Sequence, residues 1–429
     1  MIEDRSLNRS QIESLQIEKL ETLLAAISTA NRFYAAKFER LAANSKIANL
    51  SEFLQRLPFT LKRELIEDQV HHAPYGSNLT FPLARYSRFC QTSGTSGKPM
   101  RWLDTPESWD WMLDRWERVF SEAAVTSDDS IFFAFSFGPF LGFWTAFDAA
   151  ARMGCLCIPG GGMRSSARLA TILATGANVL CCTPTYAIHL AEVAAEEKID
   201  LSGSRVETII VAGESGGSIP ATRGLIEKLW HGAKVVDHHG MTEIGPVSFG
   251  CPARHDVLHV METAYIAEVI DQSSGAAVPP GGTGELVLTN LGRAGSPLIR
   301  YKSGDIVQRS LHEQCACGCF ELALEGGILG RTDDMVIVRG VNVFPRAIEE
   351  IVRSFEGVSE FRVEVDRSHA LTELRIQVEP EPAAVGNATL AHRIEFALKD
   401  ALSLRIPVSI AAIGSLPRFE MKARRWVRV

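Results

Sequence analysis

Short apolar runs alternate with helical patterns through the middle of the chain, and this alternation limits the fold more than any other feature. Residues 178–182, 208–212 and 234–236 read as buried strands ending in loops. Between and before them, residues 164–174, 185–197 and 221–231 carry apolar side chains at helical spacing. Strand–helix–strand order predicts a parallel or mixed sheet with helices on its faces. After Cys251 the texture turns to β, with strands expected over 258–260, 267–270 and 285–289, separated by Pro/Gly clusters such as PPGGTG. Ahead of the sheet, residues 10–56 read as helical, with Leu15, Leu20, Leu23, Leu24 and Ile27 at helix-like spacing. A boundary is expected near residues 330–334. Beyond it a strand (335–338), a helix (344–355), two strands (361–365 and 373–378) and an amphipathic helix (391–404) make a small βαββα unit. The expectation is an α/β protein. A large N-terminal domain, residues 1–332, holds mixed or parallel sheets and a β subdomain, and a small mobile α+β domain spans residues 333–429.

Composition excludes several classes. Hydrophobic residues at 46% and charged residues at 22% describe a globular chain, not a disordered or fibrous one. A formal net charge of −7 lacks the basic face that phosphate neutralisation needs, so nucleic acid is not an expected partner. The opening MIEDRSLNRSQIESLQIEKL has no apolar core, and the apolar stretch 131–147 contains Gly138-Pro139. That stretch is expected as a buried strand and turn rather than a membrane span. Nine cysteines without an export signal argue against a disulfide framework, so a cytoplasmic location with no membrane partner is expected.

Four segments carry chemistry. In QTSGTSGKP, residues 91–99, small hydroxyl residues, glycines and Lys98 free backbone N–H groups to face an anion; the spacing is too short for a Walker A loop. In HHGMTE, residues 238–243, Glu243 follows a strand where a carboxylate can hold a hydrated magnesium ion. In YKSGD, residues 301–305, Asp305 after an expected tight turn can hold a ribose diol. GRTDD, residues 330–334, reads as an interdomain linker.

Their joint order, SGTSGKP, HGMTE, YKSGD, GRTDDM and a late lysine, resembles the adenylate-forming superfamily of acyl-CoA synthetases, adenylation domains and luciferases. RGVNVFP and LPFTLK resemble the phenylacetate-CoA ligases in particular. The resemblance covers essentially the whole chain. It implies that Thr92, Ser93, Gly94, Thr95, Ser96, Gly97 and Lys98 hold the β- and γ-phosphates of ATP, and that Gly213, Glu214 and Ser215 lie beside adenine. His239, where the family often has Tyr, would stack on the adenine, followed by Gly240 and Met241. Thr242 and Glu243 would serve the α-phosphate and magnesium, Asp305 and Arg331 the ribose, and Asp333 the hinge. Lys422 matches the catalytic lysine, although Met421 stands where the family has Gly.

The implied reaction is adenylation of a carboxylic acid, releasing pyrophosphate, followed by transfer of the acyl group to coenzyme A with release of AMP. Two alternatives share these motifs: delivery to a carrier protein or an amine, and a binding protein that has kept the fold without the chemistry. Phe133, Phe135, Phe137, Phe140, Phe143 and Trp144 suit a flat aromatic acid of phenylacetate or benzoate type. The expected pocket is Phe135, Phe140, Ala212, Gly213 and His238. Separately, three thiols lie within residues 315–319, and Cys251 precedes His255 and His259. Cys251, His259, Cys315 and Cys317 are the expected ligands of a structural zinc, with His255 and Cys319 as substitutes. A homodimer is compatible with all of this.

Overall fold

The structure is a computed structural model that describes residues 7–28, 30–38, 47, 49–92, 99–338, 341–366, 372–384, 389–419 and 422–429. The α/β class is as expected. Five parallel strands stand in the order Leu156–Pro159, Ser130–Phe133, Val179–Cys182, Thr208–Ala212 and Lys234–His238. Successive side chains of a strand point to opposite faces, and two apolar cores divide accordingly. Phe132, Leu180, Cys182, Ile209 and Val211 join the helices Ser165–Thr175 and Pro184–Glu196. Ile131, Phe133, Val179, Cys181 and Ile210 join Pro106–Glu122 and Leu141–Met153 on the other face. The stretch 131–147 therefore begins as the expected strand but ends as a helix. Once Gly138-Pro139 breaks the extended chain, Leu141, Thr145, Ala146 and Ala149 fall on one helical face and are buried.

A six-stranded antiparallel sheet follows, ordered Ser248–Gly250, Val257–Val260, Ala323–Arg331, Tyr301–Arg309, Thr283–Asn290 and Tyr265–Ile270. Two expectations fail here. Residues 301–305 are not a turn but the start of a nine-residue strand, and Gly330-Arg331 ends another rather than linking domains. Pairing overrides the turn-forming composition, because Tyr301 and Lys302 lie opposite Leu288 and Val287, and Asp305 opposite Arg331. The helical N-terminus is also broken: Arg9–Ile27 is capped by Asn8, and the chain restarts at Arg32–Phe38, where Asn31 accepts from the Tyr34 backbone N–H. Leu20, Leu23 and Ile27 pack on Ile266, Leu291 and Ile299.

Residues 336–406 contribute a separate apolar cluster beneath a sheet ordered Val408–Ile410, Glu373–Pro380, Val358–Asp366 and Trp426–Arg428. Its helices are Pro345–Arg353 and Leu390–Leu402. The two edge strands are too short to carry a pattern in sequence. Among the described residues, no helix is long and apolar enough to cross a membrane.

Candidate functional site

The strand Lys234–His238 delivers two histidines and an acidic turn to the C-terminal edge of the parallel sheet. His238 is buried, and its Nδ1 lies 2.6 Å from the Ser248 carbonyl, which accepts its proton. Burial lowers its pKa to about 3, so the imidazole is neutral. Its ring centroid is 4.3 Å from that of Trp116. His239 points the other way, with Nε2 3.1 Å from Asp305 Oδ2, while its Nδ1 is buried without a hydrogen-bond partner. Arg331 Nη1 donates to the other oxygen of Asp305 at 2.7 Å. Burial alone would raise the Asp305 pKa, but His239, Arg331 and the Ser303 hydroxyl together hold it below the usual range.

The Thr242-Glu243 turn is held from beneath. Arg293, fully buried, donates from Nη1 to the carbonyls of Thr242 and Glu243 at 2.8 and 2.9 Å. Its remaining nitrogens grip Asp104, also fully buried, at 2.6 and 2.7 Å. The Glu243 side chain is met by the Lys62 ammonium at 3.8 Å, an ion pair too long for a hydrogen bond. Among the described residues no hydrogen bond occupies its carboxylate oxygens, which suits a hydrated cation. Sequence reasoning missed Asp104 and Arg293 altogether. Lys62 entered it only as part of LPFTLK.

Lys422 reaches this cleft from the C-terminal unit. A Cβ built on Gly213 would lie 3.5 Å from Lys422 Cε, and the next residue, Ala423, donates its backbone N–H to Glu214 Oε2 at 2.8 Å. Lys422 is exposed to the cleft yet crowded by protein. Desolvation pulls its pKa below the ordinary lysine value; Glu214 opposes this most, and Glu243 and Asp305 oppose it further, while Arg331 adds to the lowering. The structure therefore gathers Gly213, Glu214, His239, Glu243, Asp305, Arg331 and Lys422 around one cleft. Asp333 lies in an exposed turn directly after the strand that carries Arg331.

Of the expected phosphate loop, Ser93, Gly94, Thr95, Ser96, Gly97 and Lys98 lie outside the described residues, as does Met421. Thr92 pairs with Met100: its backbone N–H donates to the Met100 carbonyl and its hydroxyl accepts from the Met100 N–H, both at 3.0 Å. The neighbouring Gln91 N–H donates to Pro139 O at 2.8 Å, tying the end of the strand Arg88–Gln91 to the aromatic turn. Of that aromatic run, the side chain of Phe143 is also outside the described residues. A cavity of about 450 Å³ opens beside the turn, lined by Ser136, Phe137, Trp144, Phe147, Pro159 and Gly161. Phe135 and Phe140 belong to the same turn but do not line it. Ala212, Gly213 and His238 stand at the ends of the adjacent strands instead.

A second cluster lies within the antiparallel sheet. Ligand atoms of Cys251, His259, Cys315 and Cys317 all fall within 4.8 Å of one another. Cys251 and Cys315 sulfurs are 3.7 Å apart, and Cys317 Sγ is 3.4 Å from His259 Nε2. His259 is fully buried and gives its Nδ1 proton to the Glu321 carbonyl at 3.1 Å, which turns the Nε2 lone pair toward the sulfurs. Hydrogen bonding from Cys251 holds the Cys317 thiol below its ordinary pKa. The substitutes lie apart: Cys319 is buried against Glu321, and the His255 carbonyl accepts from Arg223.

Comparison with known proteins matches residues 86–293 to the AMP-binding enzymes and residues 340–428 to the AMP-binding enzyme C-terminal domain. The phenylacetate-coenzyme A ligase of Thermus thermophilus is 29% identical, over 97% of this chain and 96% of its own length. That of Escherichia coli is 26% identical, over 97% and 94%. Among solved structures, 2-hydroxyisobutyryl-CoA ligase in the postadenylation state with an acyl-AMP superposes with a TM-score of 0.92 at 26% identity, covering 99% of this chain and 91% of that one. The same enzyme in its thioesterification state, with 2-HIB-AMP and CoA, gives 0.74 at 28% identity over 99% and 91%.

Proposed function

The chain belongs to the AMP-binding enzymes, and on that premise we propose that it adenylates a carboxylic acid with ATP and passes the acyl group to coenzyme A. The observation that carries this reading is the arrival of Lys422, from the C-terminal unit, in the cleft formed by Glu214, Glu243, Asp305 and Arg331. In the first step a carboxylate oxygen of the acid attacks the α-phosphorus, the bond to the bridging oxygen breaks, and pyrophosphate leaves. In the second the thiol of coenzyme A loses its proton and attacks the acyl carbonyl, and AMP leaves.

The residues divide the work. Charge building on the phosphate oxygens is met by the Thr242 hydroxyl, the Lys422 ammonium and the loop from Thr92 to Lys98. Glu243 would hold magnesium, which supplies further neutralisation of phosphate charge when bound. Asp305, kept ionised by His239 and Arg331, accepts from the ribose diol, and the His239 ring flanks adenine opposite Gly213 and Ser215. Ala212, Gly213 and the neutral His238 at the strand ends, with the aromatic turn that carries Phe135 and Phe140, would receive the acid, for which an aromatic ring is the best match. The near-complete superposition on a postadenylation structure, against 0.74 for a thioesterification one, supports an adenylate-forming orientation here. Domain rotation about Asp333, with the boundary at residues 332 and 333, would then remove Lys422 and admit the thiol.

Cys251, His259, Cys315 and Cys317 form a donor set of three sulfurs and one oriented imidazole, which suits a structural zinc. It would tie the hairpin after Tyr301–Arg309 to the strand Val257–Val260, away from the reacting groups. A cytoplasmic location is part of this reading, and the free thiols among the described residues are compatible with it. The test is acid-dependent exchange of pyrophosphate into ATP across a panel of phenylacetate-like, benzoate-like and aliphatic acids, followed by thioester formation with coenzyme A. Exchange and thioester with aromatic acids are expected; no exchange with any acid would overturn the reading.

A further inference from the structure

We propose that Glu214 is a positioning residue, the docking post that seats the C-terminal segment and so places Lys422 over the phosphates. The proposal rests on the adenylation reading above and gives Glu214 a role other than walling the nucleotide. Both of its carboxylate oxygens are committed to backbone N–H groups. Oε1 accepts from Thr185 at 2.9 Å and Oε2 from Ala423 at 2.8 Å. Thr185 stands in the first turn of the helix Pro184–Glu196, where N–H groups lack intrahelical partners and the helix dipole favours an anion. Ala423 directly follows Lys422. One carboxylate therefore bridges a fixed helix of the large domain to the backbone beside the lysine.

Two further contacts fix the same segment. Arg425, two residues on, extends Nη1 to Thr185 Oγ1 at 3.4 Å and to Glu349 at 3.8 Å, while Glu360 takes its other nitrogens at 2.6 and 3.1 Å. Gly213, with φ +93°, leaves the space beside the Lys422 methylenes open, Cε lying 3.5 Å from where a Cβ would stand. Glu214 and Arg425 thus hold residues 422–425 at both ends against one helix start, with the lysine stem laid across Gly213. Swinging the C-terminal unit away would break the Ala423 hydrogen bond but keep the Thr185 one. The post stays ready to receive the segment again.

The test is a double-mutant cycle on purified full-length enzyme, with Glu214→Gln, Lys422→Ala and the double variant, each checked for an unchanged melting temperature. Pyrophosphate exchange, the KM for ATP and acyl transfer from preformed acyl-adenylate are measured for all. Glu214→Gln should lower the kcat of exchange by about 10-fold to 100-fold, the scale of one lost charge-assisted hydrogen bond, with little change in KM for ATP. Acyl transfer should survive. In the Lys422→Ala background the same change should cost almost nothing, because the lysine it positions is gone. Ala423→Pro, which removes the donor and leaves Glu214 intact, should reproduce the loss. Equal losses in both backgrounds, a raised KM at unchanged kcat, or a normal Ala423→Pro enzyme would each overturn the role. A wild type that exchanges with no acid would instead overturn the adenylation reading itself.

Discussion

The thiol–imidazole cluster and the Lys422 cleft both unite residues far apart in sequence, but they are held by different means. His259 is a ladder position paired with Phe249 on one side and Ala323 on the other. Cys251 directly follows the strand Ser248–Gly250, and Cys315 and Cys317 lie in the hairpin between two other strands, so ladder register sets their spacing. Phe249, stacked on His259 at 5.2 Å, adds packing from the same sheet. Lys422 has no such ladder. Among the described residues it is held by the Ala423 backbone hydrogen bond to Glu214, the nearby Arg425 contacts and the slot over Gly213. Groups fixed by register are available in every domain orientation, whereas groups fixed by docking are available in one. Damage to the first should show as lost stability, and damage to the second as loss of one half-reaction.

The largest expected effect tests the fixed floor of the cleft, which burial rather than docking holds in place. Asp104→Ala would leave the fully buried Arg293 without its counter-charge, a loss of about 3–5 kcal/mol of stability. Because Arg293 also carries the Thr242 and Glu243 carbonyls, both half-reactions should decline together. Denaturant melts and the two separate assays check this; a stability loss under about 1 kcal/mol would mean the turn is held by something else.

Next comes the docked side. Lys422→Ala should cut exchange by about 100-fold or more at an unchanged melting temperature, and still transfer acyl groups from preformed adenylate. Asp333→Pro, by fixing φ at the hinge, should keep exchange and lose thioester formation. Equal loss of both steps in both variants would erase the distinction between docked and register-held parts.

Smaller again is the effect of emptying the cluster. Purified protein should carry about one zinc per chain, and Cys315→Ser with Cys317→Ser should lose it. A fall in melting temperature of roughly 5 °C is expected, with exchange retained below the melt. Protein that holds no zinc, with stability unchanged in the double variant, would remove the metal from the account.

The same contrast explains what could be seen in the sequence. HHGMTE was legible because its functional side chains are contiguous and follow a strongly apolar strand. The cluster was legible because thiols are rare and closely spaced, and the four chosen residues do converge. Tyr301 to Asp305 was misjudged as a turn, since Ser-Gly-Asp composition speaks locally while cross-strand pairing is decided elsewhere. The Asp104–Arg293 strut left no signal: its partners are 189 residues apart and each looks like an ordinary surface charge. Glu214 was found as part of a segment, but its double acceptance from Thr185 and Ala423 exists only once the C-terminal unit is docked. The cavity beside Phe137 and Trp144 was half seen, because aromatic density names a region and not which rings face the space.

The smallest effect separates the two regions by pH. Lys422 is useful to adenylation only as a cation, and desolvation holds its pKa below the ordinary lysine value despite Glu214, Glu243 and Asp305. Arg331 faces it with like charge, and Asp334 lies within its field. The ammonium is present below its own pKa and lost as pH rises through it, so exchange should fade on the alkaline side before the ordinary value of about 10.4. Acyl transfer, made after Lys422 has left, should lack that limb. Glu214→Gln removes an anion that favours the cation and should move the limb to lower pH; Lys422→Arg should move it beyond the measurable range at reduced rate. The register-held cluster should respond at the opposite end, because protons compete with a metal for thiolate sulfur, so zinc retention should weaken on acidification. An alkaline limb shared by both half-reactions would show that the titrating group stays in place through the cycle, and Lys422 would then not be the part that moves.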